Sequence, residues 1–425
     1  MGGDGLPRWL FVPAAGVQVR FYPWVSAEGS LVKHVVLILD GAAGWPLDEL
    51  GSRTTLQAAR TPNLDALAAS GIVGLAQTVP PGTEPSSSAA CTSILGYDPV
   101  ADYVGRGAIE AASLGISLAP DEVALRMNLV HVADGVMASY SCGHITTAES
   151  HAIVAELSDA LSDDTFTLYP GVAYRHILVV KGQPELLDLA YTPPHDISDR
   201  PIEGRLPAGE GAGLLLGLME RARPVLVGSV ANAARRAAGG LPATDIWPFW
   251  PGSAPSGLVP FAERRGVPAA LTSGVDLLNG LAVLFGIERL AIAGVSDGPD
   301  NDYRGQIQGA LAALETADVV IVHVESPDEE GHAGDVAGKI AAIEAIDREM
   351  ASVLRQHLGE VRVLAMPDHP TPIELKTHVG EPVPFLLAGP GITADEAMTF
   401  DEVAAAATGR VVDPGRGVMD LLLGR

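Results

Sequence analysis

The stretch VVIVHVESPDEEGHAGD, residues 319 to 335, constrains the fold of this chain most. Val319 to Val324 make an apolar, β-branched run of strand length, which stops abruptly in a polar turn carrying Asp328, Glu329, Glu330, His332 and Asp335. A buried strand ending in acids and a histidine suits an open α/β sheet, whose strand ends open into a crevice and converge on a ligand. Asp328 and His332 are four residues apart. A helical turn starting there would put carboxylate and imidazole on one face, a usable pair of ligands for a divalent metal. On spacing alone a solvated acidic turn fits at least as well.

The pattern recurs, and the recurrence carries the argument. VRVLAM (361–366) is a second apolar run, ending in Pro367, Asp368, His369 and Pro370, and His378 follows nine residues after His369. A third, HVVLILDG (34–41), ends in Asp40 and Gly41, and FLLAG near residue 385 is one more. Several strands each deliver an acid or a histidine at the C-terminal end, which a solvated surface would produce only by repeated coincidence.

At 425 residues the chain exceeds one ordinary domain, and 47% hydrophobic against 19% charged residues suits an α/β core. No apolar run reaches the ~18 residues of a membrane helix. Residues 1–33, cut by Arg8, Arg20 and Pro23, read as an extension and lack the pattern of a signal peptide, which places the protein in the cytoplasm. Two cysteines, Cys91 and Cys142, argue against a disulfide scaffold or a thiolate zinc site. The formal charge of −25 disfavours nucleic acid and anionic membranes as partners. A phosphorylated substrate would need metal ions and a few arginines to reverse that field locally.

In chain order, Pro62 opens a helix capped by Thr61 or Asn63 and closed by Gly71. PPGTEPSSSAACTSILGYDP (80–99) reads as a loop entering a helix. Its serines suit either an N-cap or a nucleophilic hydroxyl beside a helix start that would favour a phosphate.

With these segments go GRGAIEAASLGI (105–116), AYRHILVVKG (173–182), PDHPTP and THVGEPVPFLLAGPG. Together they resemble the archaeal-type cofactor-independent phosphoglycerate mutases, of the alkaline-phosphatase-like metalloenzyme superfamily, from about residue 34 to the C-terminus. The resemblance implies an alkaline-phosphatase-like core sheet flanked by helices, over 34–100 and 259–425, with an inserted α+β substrate domain over 101–258. It implies two divalent ions, Mn²⁺ foremost with Zn²⁺, Co²⁺ or Mg²⁺ also compatible with Asp and His ligands. Asp328, His332 and His378 would hold one, and Asp40, Asp368 and His369 the other. Ser87, counted back from SILGYDP, would bridge them as the nucleophile and carry a phosphoserine intermediate. In the insert Arg106, Arg126 and Arg175 would clamp a small phosphorylated substrate, with Asn128 and His176 beside them. For any one arginine a structural ion pair is the competing reading. Asn232 and Arg235 are weaker candidates, and IWPFWPG (246–252) reads as packed hinge structure or a pocket lining.

The substrate-facing positions depart from the family pattern where the metal cage does not. Ser88, Ala89, Ala90 and Cys91 stand where relatives carry an acid after the serine and then a histidine; His144 replaces an arginine-rich turn, and Asn279 a lysine. Phosphoryl transfer between 3- and 2-phosphoglycerate, or on a similar phosphorylated hydroxy acid, is the expectation. A homoserine-kinase-like or specialised biosynthetic phosphotransferase or phosphatase of the same family and a catalytically silent metal-binding paralogue are the alternatives.

Overall fold

Thirteen strands form among the described residues, 32–425 of the computed structural model: β1 (Lys33–Leu39), β2 (Gly71–Ala76), β3 (Glu122–Ala133), β4 (Val136–Ser139), β5 (Phe166–Tyr169), β6 (Arg175–Lys181), β7 (Asp245–Ser253), β8 (Ala269–Thr272), β9 (Glu288–Arg289), β10 (Val319–Val324), β11 (Val361–Met366), β12 (Val383–Ala388) and β13 (Val411–Val412). The extension expected over residues 1–33 lies, but for its last two residues, outside the described chain. The fold is mixed α/β, and β10 and β11 cover the two apolar runs residue for residue, buried throughout. No helix among the described residues is long and apolar enough to cross a membrane.

The chain divides into two compact units, one of residues 32–85, 93–96 and 327–425, the other of 86–92 and 97–326. In the first, the strands run in the order β13-β2-β12-β11-β1. β1 and β11 are parallel, with Ile38 opposite Met366, so their C-terminal ends emerge side by side. That register is what brings Asp40 and Asp368 to one place. The isolated bridges of Ala42 and Ala43 to Pro370 keep the two following loops together.

The second unit holds the parallel run β10-β8-β9 and an antiparallel sheet β4-β3-β6-β5, with β7 also on β3. Strand alternation gives that antiparallel sheet two different faces. Leu125, Met127, Leu129, Leu178 and Val180 pack with the helices Thr147–Leu161 and Ala212–Gly228 in the main core. The helix Thr147–Leu161 starts in a capping box of Thr146 and Glu149. Ala124, Ile177 and Val179 face the other way, against Ala111 of the helix Arg106–Ser113.

The Trp-Pro stretch is a strand, residues 246–252 lying within β7, and its Trp250, Pro251 and Gly252 line a cavity as expected. Pro248 and Pro251 are tolerated because, among the described residues, β7 pairs with β3 alone, leaving its other edge without a ladder to break. The helix starting at Pro62 has Thr61 at its N-cap, and Gly71 opens the next strand.

Candidate functional site

In the first unit, four loops and helix ends gather six of the expected residues. Asp40 follows β1, Asp368 and His369 follow β11, Asp328 and His332 lie one turn apart on the helix Ser326–Ala333, and His378 sits in the loop before β12. Asp40, Asp368 and His369 are fully buried and Asp328 nearly so. Asp368 is oriented by its neighbours: its Oδ1 accepts from the backbone N–H of Gly41 (3.1 Å) and of His369 (2.8 Å). His369 Nε2 then lies 3.2 Å from Asp368 Oδ2 and 3.6 Å from Asp40 Oδ1.

The other group closes around Asp328. Its Oδ2 is 3.1 Å from His332 Nε2 and 3.5 Å from His378 Nε2, and the two imidazole nitrogens are 2.9 Å apart. The rings of His369 and His378 are 4.0 Å apart at their centroids. Thr371 Oγ1 donates to Asp328 Oδ1, and His332 Nδ1 donates to the Lys376 carbonyl (2.9 Å). A carbonyl only accepts, so the proton of a neutral His332 sits on Nδ1 and Nε2 offers a lone pair.

These residues fit divalent metal on their own chemistry. Two imidazole nitrogens and a carboxylate oxygen crowd together at distances near the ~3.4 Å edge of a tetrahedron around an ion with bonds of ~2.1 Å. Ligand atoms of Asp328, His369 and His378 all lie within 4.8 Å of one another, as do those of Asp40, Asp368 and His369. His369 stands in both groups. No thiolate is involved, so the donors suit several divalent ions.

The electrostatics follow from the crowding. Burial works against the Asp328 carboxylate, but hydrogen bonds from His332 and His378 and the field of the histidines outweigh it and hold its pKa well below the usual range. The hydrogen bond to Asp328 raises His332 to about 9, while burial lowers His369. One group missed in the sequence is Lys339, fully buried on the helix Val336–Ile346. Its Nζ donates to the carbonyls of Ala43 (3.1 Å) and Thr371 (2.7 Å), and burial lowers its pKa to about 8. A lone lysine in the apolar run VAGKIAAIEAI was the available signal.

Ser87 opens the helix Ser87–Ile94. Ser86 Oγ accepts weakly from the Ala89 N–H (3.4 Å), the N-cap pattern, and pairs with Ser88 Oγ at 3.0 Å. Ser88 and Cys91 are buried, which leaves Ser87 the most accessible hydroxyl of the helical turn itself.

In the second unit a cavity of ≈ 110 Å³ is bordered by Arg106, Arg126 and Arg175, with Glu110 and the turn Gly274–Leu277. Two of the three arginines are already engaged. Glu110 Oε1 accepts from Arg106 Nε (2.9 Å) and Arg126 Nη1 (2.8 Å), and Arg126 Nε donates to Asn128 Oδ1 (3.1 Å). Burial opposes the Glu110 carboxylate, but the two guanidiniums outweigh it and lower its pKa. Arg106 also stacks over Trp250, 4.2 Å from the ring centroid. The Arg175 guanidinium has no hydrogen-bond or ion-pair partner among the described residues, and Asn128 pairs with Arg175 across β3 and β6.

His176 also borders this cavity, and the charge of Arg126 reaches it, but the register turns its side chain. It pairs with Met127, whose side chain enters the main core, so His176 points to the opposite face from Arg126, Asn128 and Arg175. Its Nδ1 accepts from the Gly171 N–H (3.0 Å), and burial lowers its pKa to about 3. Asn232 and Arg235 are structural. Asn232 bonds the backbone of Leu226 and Ala243, and Arg235 bonds Glu149 and the carbonyls of Leu241 and Cys142. Asn279 bonds the Ser273 carbonyl, and His144 is an exposed residue with φ 55.

Comparison with known proteins gives a consistent answer. Residues 68–232 match the family model described as 2,3-bisphosphoglycerate-independent phosphoglycerate mutase. A protein of that name from Methanothrix thermoacetophila is 44% identical over 92% of this chain and 100% of its own length. A probable one from Geobacter sulfurreducens is 41% identical over 93% of this chain and 100% of its own. The solved structure of the cofactor-independent phosphoglycerate mutase from Thermoplasma acidophilum is similar with a TM-score of 0.65 and 28% identity, covering 92% of this chain and 99% of that one.

Proposed function

This chain belongs to the 2,3-bisphosphoglycerate-independent phosphoglycerate mutase family, and from that premise we propose that it interconverts 3-phosphoglycerate and 2-phosphoglycerate through a phosphoserine at Ser87. The observation that carries the proposal is the convergence of Asp40, Asp328, His332, Asp368, His369 and His378 in a chain similar over 92–93% of its length to proteins of that name. Asp328, His332 and His378 would hold one divalent ion and Asp40, Asp368 and His369 the other, with Mn²⁺ our first choice. When bound, such ions lower the pKa of a coordinated hydroxyl and neutralise phosphoryl oxygens.

In the proposed reaction Ser87 Oγ attacks phosphorus. The new bond is Oγ–P, the bond broken is that from phosphorus to O3 of the substrate, and the hydroxyl proton ends on the departing O3. O2 of the same glycerate then attacks the phosphoserine: the O2–P bond forms, the Oγ–P bond breaks, and the O2 hydroxyl proton ends on Oγ, restoring the serine. Arg175 supplies a guanidinium for an anionic group of the substrate, with Asn128 across the ladder. Arg106 and Arg126, bound to Glu110, give that region its shape and charge. His176, which borders the same cavity, stands beside them. The segment 101–258 is assigned the substrate-retaining role, because holding glycerate against water separates a mutase from a phosphatase.

The test is turnover of 3-phosphoglycerate by protein reconstituted with Mn²⁺, followed by phosphorus NMR after chelation. 2-Phosphoglycerate should appear without free phosphate. No conversion by the fully metallated protein would overturn the substrate assignment, and full activity of Ser87→Ala would overturn the covalent route.

A further inference from the structure

Three carboxylates, those of Asp40, Asp328 and Asp368, are buried in the first unit. Burying like charges together is costly unless cations or donors offset them. Within electrostatic reach of Asp328 and Asp40, and of Glu402 as well, on a helix that supplies none of the expected ligands, stands the fully buried ammonium of Lys339. It ties two loops at once. Ala43 lies three residues after Asp40, and Thr371 lies two after His369; Lys339 Nζ bonds the carbonyl of each. Thr371 N also donates to the Ala43 carbonyl (3.0 Å), so the two loops and the ammonium form one closed set of hydrogen bonds. The Thr371 hydroxyl carries the connection on to Asp328.

We propose that Lys339 is a positioning residue that serves as an internal cation, holding the Asp40 and Asp368–His369 loops in their ligand-ready arrangement before any metal arrives. The inference rests on the metal assignment above and goes beyond it. A purely structural lysine would stabilise the metal-loaded and metal-free protein alike. An internal counter-cation matters most when the divalent ions are absent, because a metal held by Asp40, Asp368 and His369 would itself offset their charge and tie their two loops.

The full chain should be compared as wild type, Lys339→Met and Lys339→Gln, by thermal unfolding in chelator and again with saturating Mn²⁺. Met removes charge and donors; Gln keeps a donor and removes the charge. Both variants should unfold well below wild type in chelator and recover most of the difference with Mn²⁺, so that the metal-induced rise in Tm is larger in the variants. Should Lys339→Met not fold in chelator, recovery of the fold on adding Mn²⁺ is the same result. An equal loss with and without metal, no loss at all, or failure to fold under either condition would overturn the proposal. The wild type separates the two readings: no response of its Tm to Mn²⁺ would remove the metal assignment, and this inference with it. The readout does not depend on which phosphorylated substrate is turned over.

Discussion

His332 Nε2 and His378 Nε2 stand 2.9 Å apart, each within 3.5 Å of Asp328 Oδ2. Two imidazole nitrogens approach so closely only with a proton or a cation between them. His378→Ala should therefore lower metal content by about one ion per chain while the Asp40, Asp368 and His369 group still loads, and turnover should fall at least ~100-fold. Metal analysis after gel filtration checks the first part, and unchanged metal content would refute it.

How much of this was legible beforehand depended on range. The strands ending at Val324 and Met366 were plain because a buried strand writes its own composition, and the acids and histidines followed as their continuations. Lys339 and Thr371 were not, because their partners come from loops hundreds or tens of residues away. Glu110 shows both cases in one side chain. Its pairing with Arg106 has helical i,i+4 spacing and could have been read, while that with Arg126 exists only because β3 passes the helix. His176 and Arg175 do border one cavity, as their adjacency suggested, but only the strand pairing shows that alternation sends their side chains to opposite faces.

Glu110 offers a graded test, since its two arginines differ in exposure, with side chains 8% exposed for Arg126 and 34% for Arg106. Removing the carboxylate in Glu110→Ala strands a buried guanidinium and should cost about 3–5 kcal/mol of stability. The double variant with Arg126→Met should recover part of that loss, whereas Arg106→Met alone should cost less than about 1 kcal/mol. A urea-unfolding double-mutant cycle measures the coupling, and additivity of Glu110→Ala with Arg126→Met would contradict the pairing.

Glu402 sets a pH dependence. Burial pushes its pKa from 4.5 up to about 7, despite hydrogen bonds from the Thr54 hydroxyl (2.7 Å) and the Gly44 N–H (3.1 Å). Between those values the native state keeps a proton that the unfolded chain has released. The stabilisation is complete below about pH 4.5 and is lost as pH rises through about 7. Glu402→Gln cannot ionise. From pH 5 to pH 8 it should gain on the order of 2 kcal/mol relative to wild type. Unfolding curves at the two pH values decide, and parallel behaviour of the two proteins would place the proton elsewhere.

Gly41, directly after Asp40, has φ +59, a conformation that already strains any residue with a Cβ. Space forbids one as well. A Cβ there would lie 2.3 Å from Asp328 Oδ1 and 2.8 Å from the Asp328 Cα, so relief cannot come from a side chain swinging aside. The loop would have to move, and with it the Gly41 N–H that orients Asp368. Gly41→Ala should consequently disturb both ligand groups through one methyl: about 2–4 kcal/mol of stability lost, and Mn²⁺ affinity lowered by about 10–100-fold. Calorimetric Mn²⁺ titration distinguishes this from simple loop strain, which would lower Tm and leave the affinity of the folded protein unchanged.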